Sequence, residues 1–266
     1  MTETPNKHLA DKNVLLTRSL ETAEENAKLF TDLGARVFFF PTLDFKEAED
    51  YSLFDKFINS GEGIDFIIFT SVNSVKYFSE RIKALGKTLN YDEIITVTIG
   101  KKTASVCNEL GIPVSYISQH QNAKFLAEYF DMIDVNKKCI LYPTSNLANS
   151  FLTNFLNKRG ARIKTFVLYE TTLPSKELIE KYINNLNVVK FEWIVFTSPS
   201  SFRNFLTIAK HYNTKNVLCD NIVSIGDTTS SEIIRNNYKP LITASENSME
   251  GIIEAIINYY KSKGIN

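Results

Sequence analysis

Histidine and cysteine are scarce in this chain, three of each among 266 residues. His8, His120 and His211 stand far apart, and so do Cys107, Cys139 and Cys219. Neither set has the close spacing of a metal knuckle, a redox pair or a histidine-centred triad, so the thiols read as packing or surface groups. A surplus of one charge is also missing, because 30 Lys and Arg balance 30 Asp and Glu. No overall field marks a nucleic-acid or membrane-surface binder. Long apolar runs are absent as well. None approaches the roughly 20 residues that cross a bilayer, and the opening MTETPNKHLADKN lacks the apolar core of an export signal. These absences lead to the expectation of a soluble cytoplasmic protein. Nucleotide binding has no support, since neither a complete P-loop nor a Gly-x-Gly-x-x-Gly fingerprint occurs. Asp65, Glu170 and Asp227 form no recognisable carboxylate pair.

What is present is a globular composition, 44% hydrophobic and 23% charged. The length exceeds the roughly 100–200 residues of one domain, so two lobes are expected. The chain is in fact written twice. Residues 14–40 match residues 140–166, with Gly34-Ala35-Arg36 falling on Gly160-Ala161-Arg162. FIIFTSVNSVKYF, ending at Phe78, matches WIVFTSPSSFRNF, ending at Phe205, which pairs Thr70-Ser71 with Thr197-Ser198. Residues 97–117 match residues 223–243, with Gly100 on Gly226. A repeat this long indicates sister domains rather than a solenoid.

Within each copy, short apolar runs rich in β-branched and aromatic residues alternate with helical periods. The runs at 66–69, 94–99, 114–117, 163–167, 193–196 and 222–225 are continuous, as strands buried on both faces should be. Val75, Phe78, Ile82 and Leu85 share one helical face, as do Met249, Ile252, Ile253, Ile256 and Tyr260. Gly34, Gly111 and Gly160 stand where helix ends belong. The pattern predicts two parallel α/β sheets of about five strands each. Two arrangements satisfy it. Tandem copies would divide near residue 137. Alternatively, the first strand–helix–strand joins the last three strands and leaves the middle as the second lobe, with residues 40–52 and 168–177 as paired crossovers.

Ligands of parallel α/β sheets sit beyond the carboxyl ends of the strands. Ser71 and Ser198 fall there, just before helices, where a hydroxyl caps free backbone N–H groups and Pro199 suits the first helical position. Such helix starts also offer N–H donors and partial positive charge to carboxylate or phosphate. Gly100 and Gly226 mark two further turns, followed by Lys101-Lys102 and by Asp227-Thr228-Thr229, and Arg18 ends the first strand. Two such lobes facing each other would enclose a cleft rich in neutral anion donors. The plain alternative is that the hydroxyls are only caps, the glycines only turns and the cations solvated. Differences between the copies speak for a ligand that is itself unsymmetrical: Arg18 faces Thr144, Lys102 faces Thr228, and Val72-Asn73 faces Pro199-Ser200. Tyr169, at the start of the second crossover, carries a phenol that can donate a proton or hydrogen bond without metal or histidine.

The two Thr-Ser hinges, the TTSSEII turn, LYPTSNLANSFLTNFLNKRGARIKTFVLYET and the closing ITASENSMEGIIEAI together resemble the uroporphyrinogen-III synthase family, over residues 14–257. The resemblance implies two flavodoxin-like parallel-sheet α/β/α domains joined by a two-stranded crossover. One domain would be 1–41 plus 172–266; the other, 42–171, would include linker strands near 40–46 and 167–173. It implies cyclisation of hydroxymethylbilane, a linear tetrapyrrole bearing acetates and propionates, to uroporphyrinogen III. Water leaves ring A to give an azafulvene; ring D attacks through its substituted carbon, and the spiro intermediate fragments and recloses with ring D inverted. No cofactor or metal is implied, and the protein would be a monomer with transient contact to hydroxymethylbilane synthase. Tyr169 matches the tyrosine assigned to hydroxyl departure. Ser71, Ser198, Thr228 and Thr229 match substrate positions in the cleft, Gly226 the turn beneath them, and Thr70 and Thr197 belong to the same hinges. The pattern departs at Val72-Asn73, where a proline plus a basic residue is common in the family, and at Asn149, where an arginine is common, so Arg18 or Lys101 would substitute as carboxylate contacts. Competing readings are a two-lobed small-molecule sensor without chemistry and an inactive regulatory descendant of the synthase.

Overall fold

The structure is a computed structural model and describes residues 8–118, 123–148, 150–214 and 221–264. His120, Asn149 and Cys219 therefore lie outside the described residues. The chain divides into two compact units, one of Met1–Asp44 with Thr172–Asn266 and one of Phe45–Thr171.

The first unit contains β1 (Asn13–Leu16), α1 (Leu20–Thr31) and β2 (Arg36–Phe39). After the chain's excursion through the other unit, it continues with α7 (Lys176–Val188), β9 (Trp193–Phe196), α8 (Pro199–His211), β10 (Ile222–Ser224), α9 (Asp227–Arg235), β11 (Ile242–Thr243) and α10 (Met249–Ser262). Its parallel sheet runs β11-β10-β9-β1-β2. Counted along the chain, that order is the doubly wound, flavodoxin-like one, with its switch point between β1 and β9.

The second unit holds α2 (Ser52–Ser60), β4 (Phe66–Phe69), α3 (Val72–Ala84), β5 (Ile95–Ile99), α4 (Lys101–Glu109), β6 (Tyr116–Ser118), α5 (Ala123–Asp131), β7 (Cys139–Ser145), α6 (Phe151–Lys158) and β8 (Arg162–Thr172). Its sheet runs β6-β5-β4-β7-β8, with β3 (Asp44–Glu47) added outside β8. The strands of the matched sequence blocks therefore occupy the same sheet positions in both units. β3 makes this sheet six-stranded rather than five. The 11-residue β8 continues past the end of the seven-residue β7, and its free edge takes β3 as a partner.

The central strands of both sheets are buried on both faces, which explains their continuous apolar runs, whereas the runs at 114–117 and 163–167 lie on outer strands and are partly exposed, Ile117 and Val167 among them. In the first unit, Val14, Leu16, Trp193, Val195 and Val223 pack with α1 and α10. Their sequence neighbours Leu15, Ile194, Phe196 and Ile222 pack on the other side with α7, α8 and α9. In the second unit Ile67, Phe69, Cys139 and Leu141 face α2, α3 and α4, whereas Phe66, Ile68, Ile140 and Tyr142 face α5 and α6. Period-two alternation thus sends every second residue into a separate core. Each large apolar side chain so removed from water is worth about 1.5–3 kcal/mol. Among the described residues no helix is long and apolar enough to cross a membrane.

Candidate functional site

The two Thr-Ser hinges fold alike. Ser71 is the N-cap of α3, accepting from the Ser74 N–H at 3.1 Å, while the Ser71 N–H donates to Ser74 Oγ at 3.3 Å. Ser198 caps α8 in the same reciprocal box, at 3.0 Å from the Ser201 N–H and 3.2 Å to Ser201 Oγ. Ser74 and Ser201 are fully buried and donate their hydroxyls to the carbonyls of Ser71 and Ser198. The shared serine three positions on is therefore a structural requirement of the hinge. Replacing Ser198 by Ala should cost about 1 kcal/mol of stability, as lost caps do, readable as a lower midpoint in urea unfolding.

The copies differ in what the cap hydroxyl meets next. Ser198 Oγ lies 3.0 Å from Ser200 Oγ. Ser71 Oγ lies 2.9 Å from the phenol oxygen of Tyr169. Tyr169 stands on β8 and is buried, only 6% exposed. Its ring stacks on Tyr77 of α3, centroids 5.2 Å apart and planes within 9°, and meets the edge of Phe45 at 6.1 Å. Burial raises the phenol pKa above its ordinary value of about 10, with the hydroxyls of Ser71 and Ser145 pulling the other way. At neutral pH Tyr169 is therefore a protonated phenol among hydroxyls. Half-buried Thr70 precedes this pair. Lys101 opens α4 and is exposed; it follows Gly100, whose φ of 77° lies in the left-handed region that only glycine enters without strain.

In the first unit Arg18 and Thr197-Ser198 flank the switch point between β1 and β9, and Gly226, Thr228 and Thr229 follow the next strand, β10. Thr17, at the end of β1, donates its hydroxyl to the Val195 carbonyl of β9 at 2.6 Å, tying the two strand ends together. Arg18 follows and is half-buried. Burial lowers its pKa and Glu25 opposes the shift, yet a guanidinium starts so high that it stays charged at neutral pH. Half-buried Thr197 and Ser198 follow β9. Gly226 precedes α9, and the side-chain amide of Asn247 fills the space where a Cβ would stand. Its carbonyl accepts from the N–H groups of Thr229 and Ser230 at 3.1 and 3.0 Å. Thr228 is exposed, whereas Thr229 is buried at 2%. Of this pair, only Thr228 presents its hydroxyl openly.

Sequence reasoning passed over Tyr77, Ser145, Phe45 and Asn247. One signal was available for Tyr77. Its counterpart in the other copy is Asn204, which donates instead to the Thr42 carbonyl at 2.8 Å. In both copies this helix position meets the chain just after the matched block, at Thr42 in one and Tyr169 in the other, but only one copy makes it aromatic.

The chain is similar in sequence and fold to known proteins. The family described as "Uroporphyrinogen-III synthase HemD" matches residues 24–254. The uroporphyrinogen-III synthase of Chlorobaculum parvum is 23% identical over 230 residues, 86% of this chain and 91% of its own. A solved mutant uroporphyrinogen III synthase from the extremely thermophilic bacterium Thermus thermophilus superposes with a TM-score of 0.63 at 18% identity, over 94% of this chain and 99% of its own. The solved uroporphyrinogen-III synthetase of Helicobacter pylori gives 0.62 at 19% identity, over 93% and 99%. At such identities the solved structures speak for the fold, while the family match speaks for descent. It runs from α1 to α10, through both copies of the duplication and both capped hinges, and on that ground the chain belongs to the uroporphyrinogen-III synthase family.

Proposed function

We propose that this chain is a uroporphyrinogen-III synthase, a cyclising hydro-lyase that closes hydroxymethylbilane with inversion of ring D and release of one water. The observation that carries the reading is the buried, protonated phenol of Tyr169 hydrogen-bonded to the cap hydroxyl of Ser71. A leaving hydroxide needs a proton, and a neutral phenol in a sheltered site supplies one without metal or histidine. Ser71 is the more exposed member of the pair, and so the one that meets the departing group or passes the proton to it.

The substrate is intrinsically reactive once that hydroxyl has gone. The protein's larger task is to hold the chain so that ring D attacks through its substituted carbon. Orientation of this kind is worth on the order of 7–11 kcal/mol in favourable intramolecular cases. The acetates and propionates need many donors rather than a large net charge. The starts of α3, α4, α8 and α9 offer backbone N–H groups and the hydroxyls of Ser71, Ser198 and Thr228, and Arg18 and Lys101 add cations. Thr70 and Thr197 shape the hinges, and Gly226 and Thr229 support the turn that carries Thr228.

A coupled assay tests the activity. Hydroxymethylbilane is generated from porphobilinogen by a deaminase, and ring closure is followed with and without this protein. Closure well above the spontaneous rate is the expected result; an unchanged rate would contradict the reading and favour a binding protein. Replacing exposed Thr228 by Phe should raise KM about tenfold or more, the loss of one positioned contact together with steric exclusion, and unaltered kinetics would make the turn merely structural.

A further inference from the structure

β7 and β8 run in register from Cys139 opposite Arg162 to Thr144 opposite Val167, and then the pairing jumps, with Ser145 opposite Tyr169. Leu168 is an extra residue on β8. A bulge of this kind redirects the side chains that follow it. Strand alternation would send Leu168 and Tyr169 to opposite faces, yet both reach toward α3. Leu168 enters the core that holds Val75 and Phe78, and Tyr169 meets Ser71 and Tyr77. The bulge thus decides where the phenol points.

The bulge is held from outside. The Leu168 carbonyl accepts the Tyr51 hydroxyl at 2.9 Å and the Ala48 N–H at 3.2 Å. Tyr51 sits at the start of α2, and its ring lies under the Arg81 guanidinium, 4.4 Å from centroid to Cζ. Arg81 in turn forks onto Asp55, through Nε to Oδ1 at 2.8 Å and through Nη2 to Oδ2. Asp55 lies in the first turn of α2 and Arg81 in the last turn of α3, so each charge also suits its helix end. Burial, with Glu47 adding to it, raises the Tyr51 phenol pKa and keeps the hydroxyl a donor at neutral pH.

We propose that Asp55, Arg81 and Tyr51 are positioning residues for Tyr169, a clamp on the Leu168 bulge that sets the aim of the phenol. The proposal rests on the reading of Tyr169 as proton donor. Tyr51→Phe removes one hydroxyl and keeps the ring under Arg81, and the Ala48 N–H still satisfies the Leu168 carbonyl. The variant therefore folds, with the bulge less tightly held.

The test is a double-mutant cycle of Tyr51→Phe with Tyr169→Phe. Expected are a kcat about fivefold lower in Tyr51→Phe, an almost unchanged KM, and no further loss when Tyr51→Phe is added to Tyr169→Phe, because coupled residues are non-additive. A second readout needs no activity. In protein labelled with fluorotyrosine, the Tyr169 resonance, identified by its disappearance in Tyr169→Phe, should shift in Tyr51→Phe. An unchanged kcat, additive losses or an unmoved resonance would overturn the clamp while leaving the proton-donor reading intact. If Tyr169→Phe itself left kcat unchanged, the proton-donor reading would fall, and the clamp's catalytic role with it.

Discussion

Tyr169→Phe should lower kcat about a hundredfold, near the low end of what a positioned proton donor contributes. That corresponds to about 2.7 kcal/mol at the transition state. The fold should survive, because the phenylalanine ring keeps the stack on Tyr77 and the contact with Phe45. Ser71 Oγ keeps the Ser74 N–H, so the structural loss is limited to the phenol's hydrogen bonds with Ser71 and Ser145, about 0.5–1.5 kcal/mol each. The pH profile carries the same prediction with a sign. Burial raises the phenol pKa, so the donor remains protonated through neutrality and past the ordinary value of about 10. Turnover should show no loss from this group until strongly alkaline pH. Its contribution to stability follows the same course, present below the unfolded value near 10 and lost as pH rises through the higher folded value. A limb near neutrality that vanishes in Tyr169→Phe would mean that the phenol ionises far more easily than its surroundings allow.

Phe78→Ala should cost about 3–5 kcal/mol, the range for emptying a buried aromatic site. Phe78 is fully buried and packs edge-on against Phe54 at 6.0 Å and Phe69 at 5.2 Å. These residues join α2, β4 and α3, so the cavity would loosen the helix that carries Ser71 and Tyr77. Phe205 is its counterpart in the other copy, also fully buried, edge-on to Phe196 at 5.4 Å and Phe40 at 5.6 Å. Phe205→Ala should cost a similar amount in the first unit. Urea unfolding followed by circular dichroism and by tryptophan fluorescence separates the two, since Trp193 lies in the first unit. Phe78→Ala should shift the dichroism transition more than the fluorescence, and Phe205→Ala should shift both. A loss below about 1 kcal/mol in either variant would contradict the packing described.

Much of the fold was legible because burial on both faces leaves a strong mark. The runs at 66–69 and 193–196 are strands β4 and β9 at those bounds; of the predicted helical face Val75, Phe78 and Ile82 are buried, whereas Leu85 is the half-buried residue that ends α3. Ser71 and Ser198 cap helices because a short polar side chain before an amphipathic run can do little else. The rest was hidden for physical reasons. β3 is a strand only because the outer edge of β8 offers it a partner, a fact of sheet geometry rather than of composition, and the linker strand expected near 40–46 came from the family resemblance alone. The Leu168 bulge leaves no local signal, since Leu and Tyr suit an ordinary strand as well as a bulged one. The line from Asp55 through Arg81 and Tyr51 to Leu168 joins residues up to 117 positions apart, and no periodicity records such a meeting. The position of Tyr77 beside Tyr169 was partly readable, as the point where an aromatic replaces the asparagine of the other copy. Duplicated halves keep in common what the fold needs, and their differences point to the chemistry.

The identity of the product tests the central claim most directly. With hydroxymethylbilane formed in the presence of this protein, and the products oxidised and resolved as porphyrins, the account predicts a predominance of the type III isomer, whose last ring is inverted. Type I alone, the isomer of unguided closure, would contradict it.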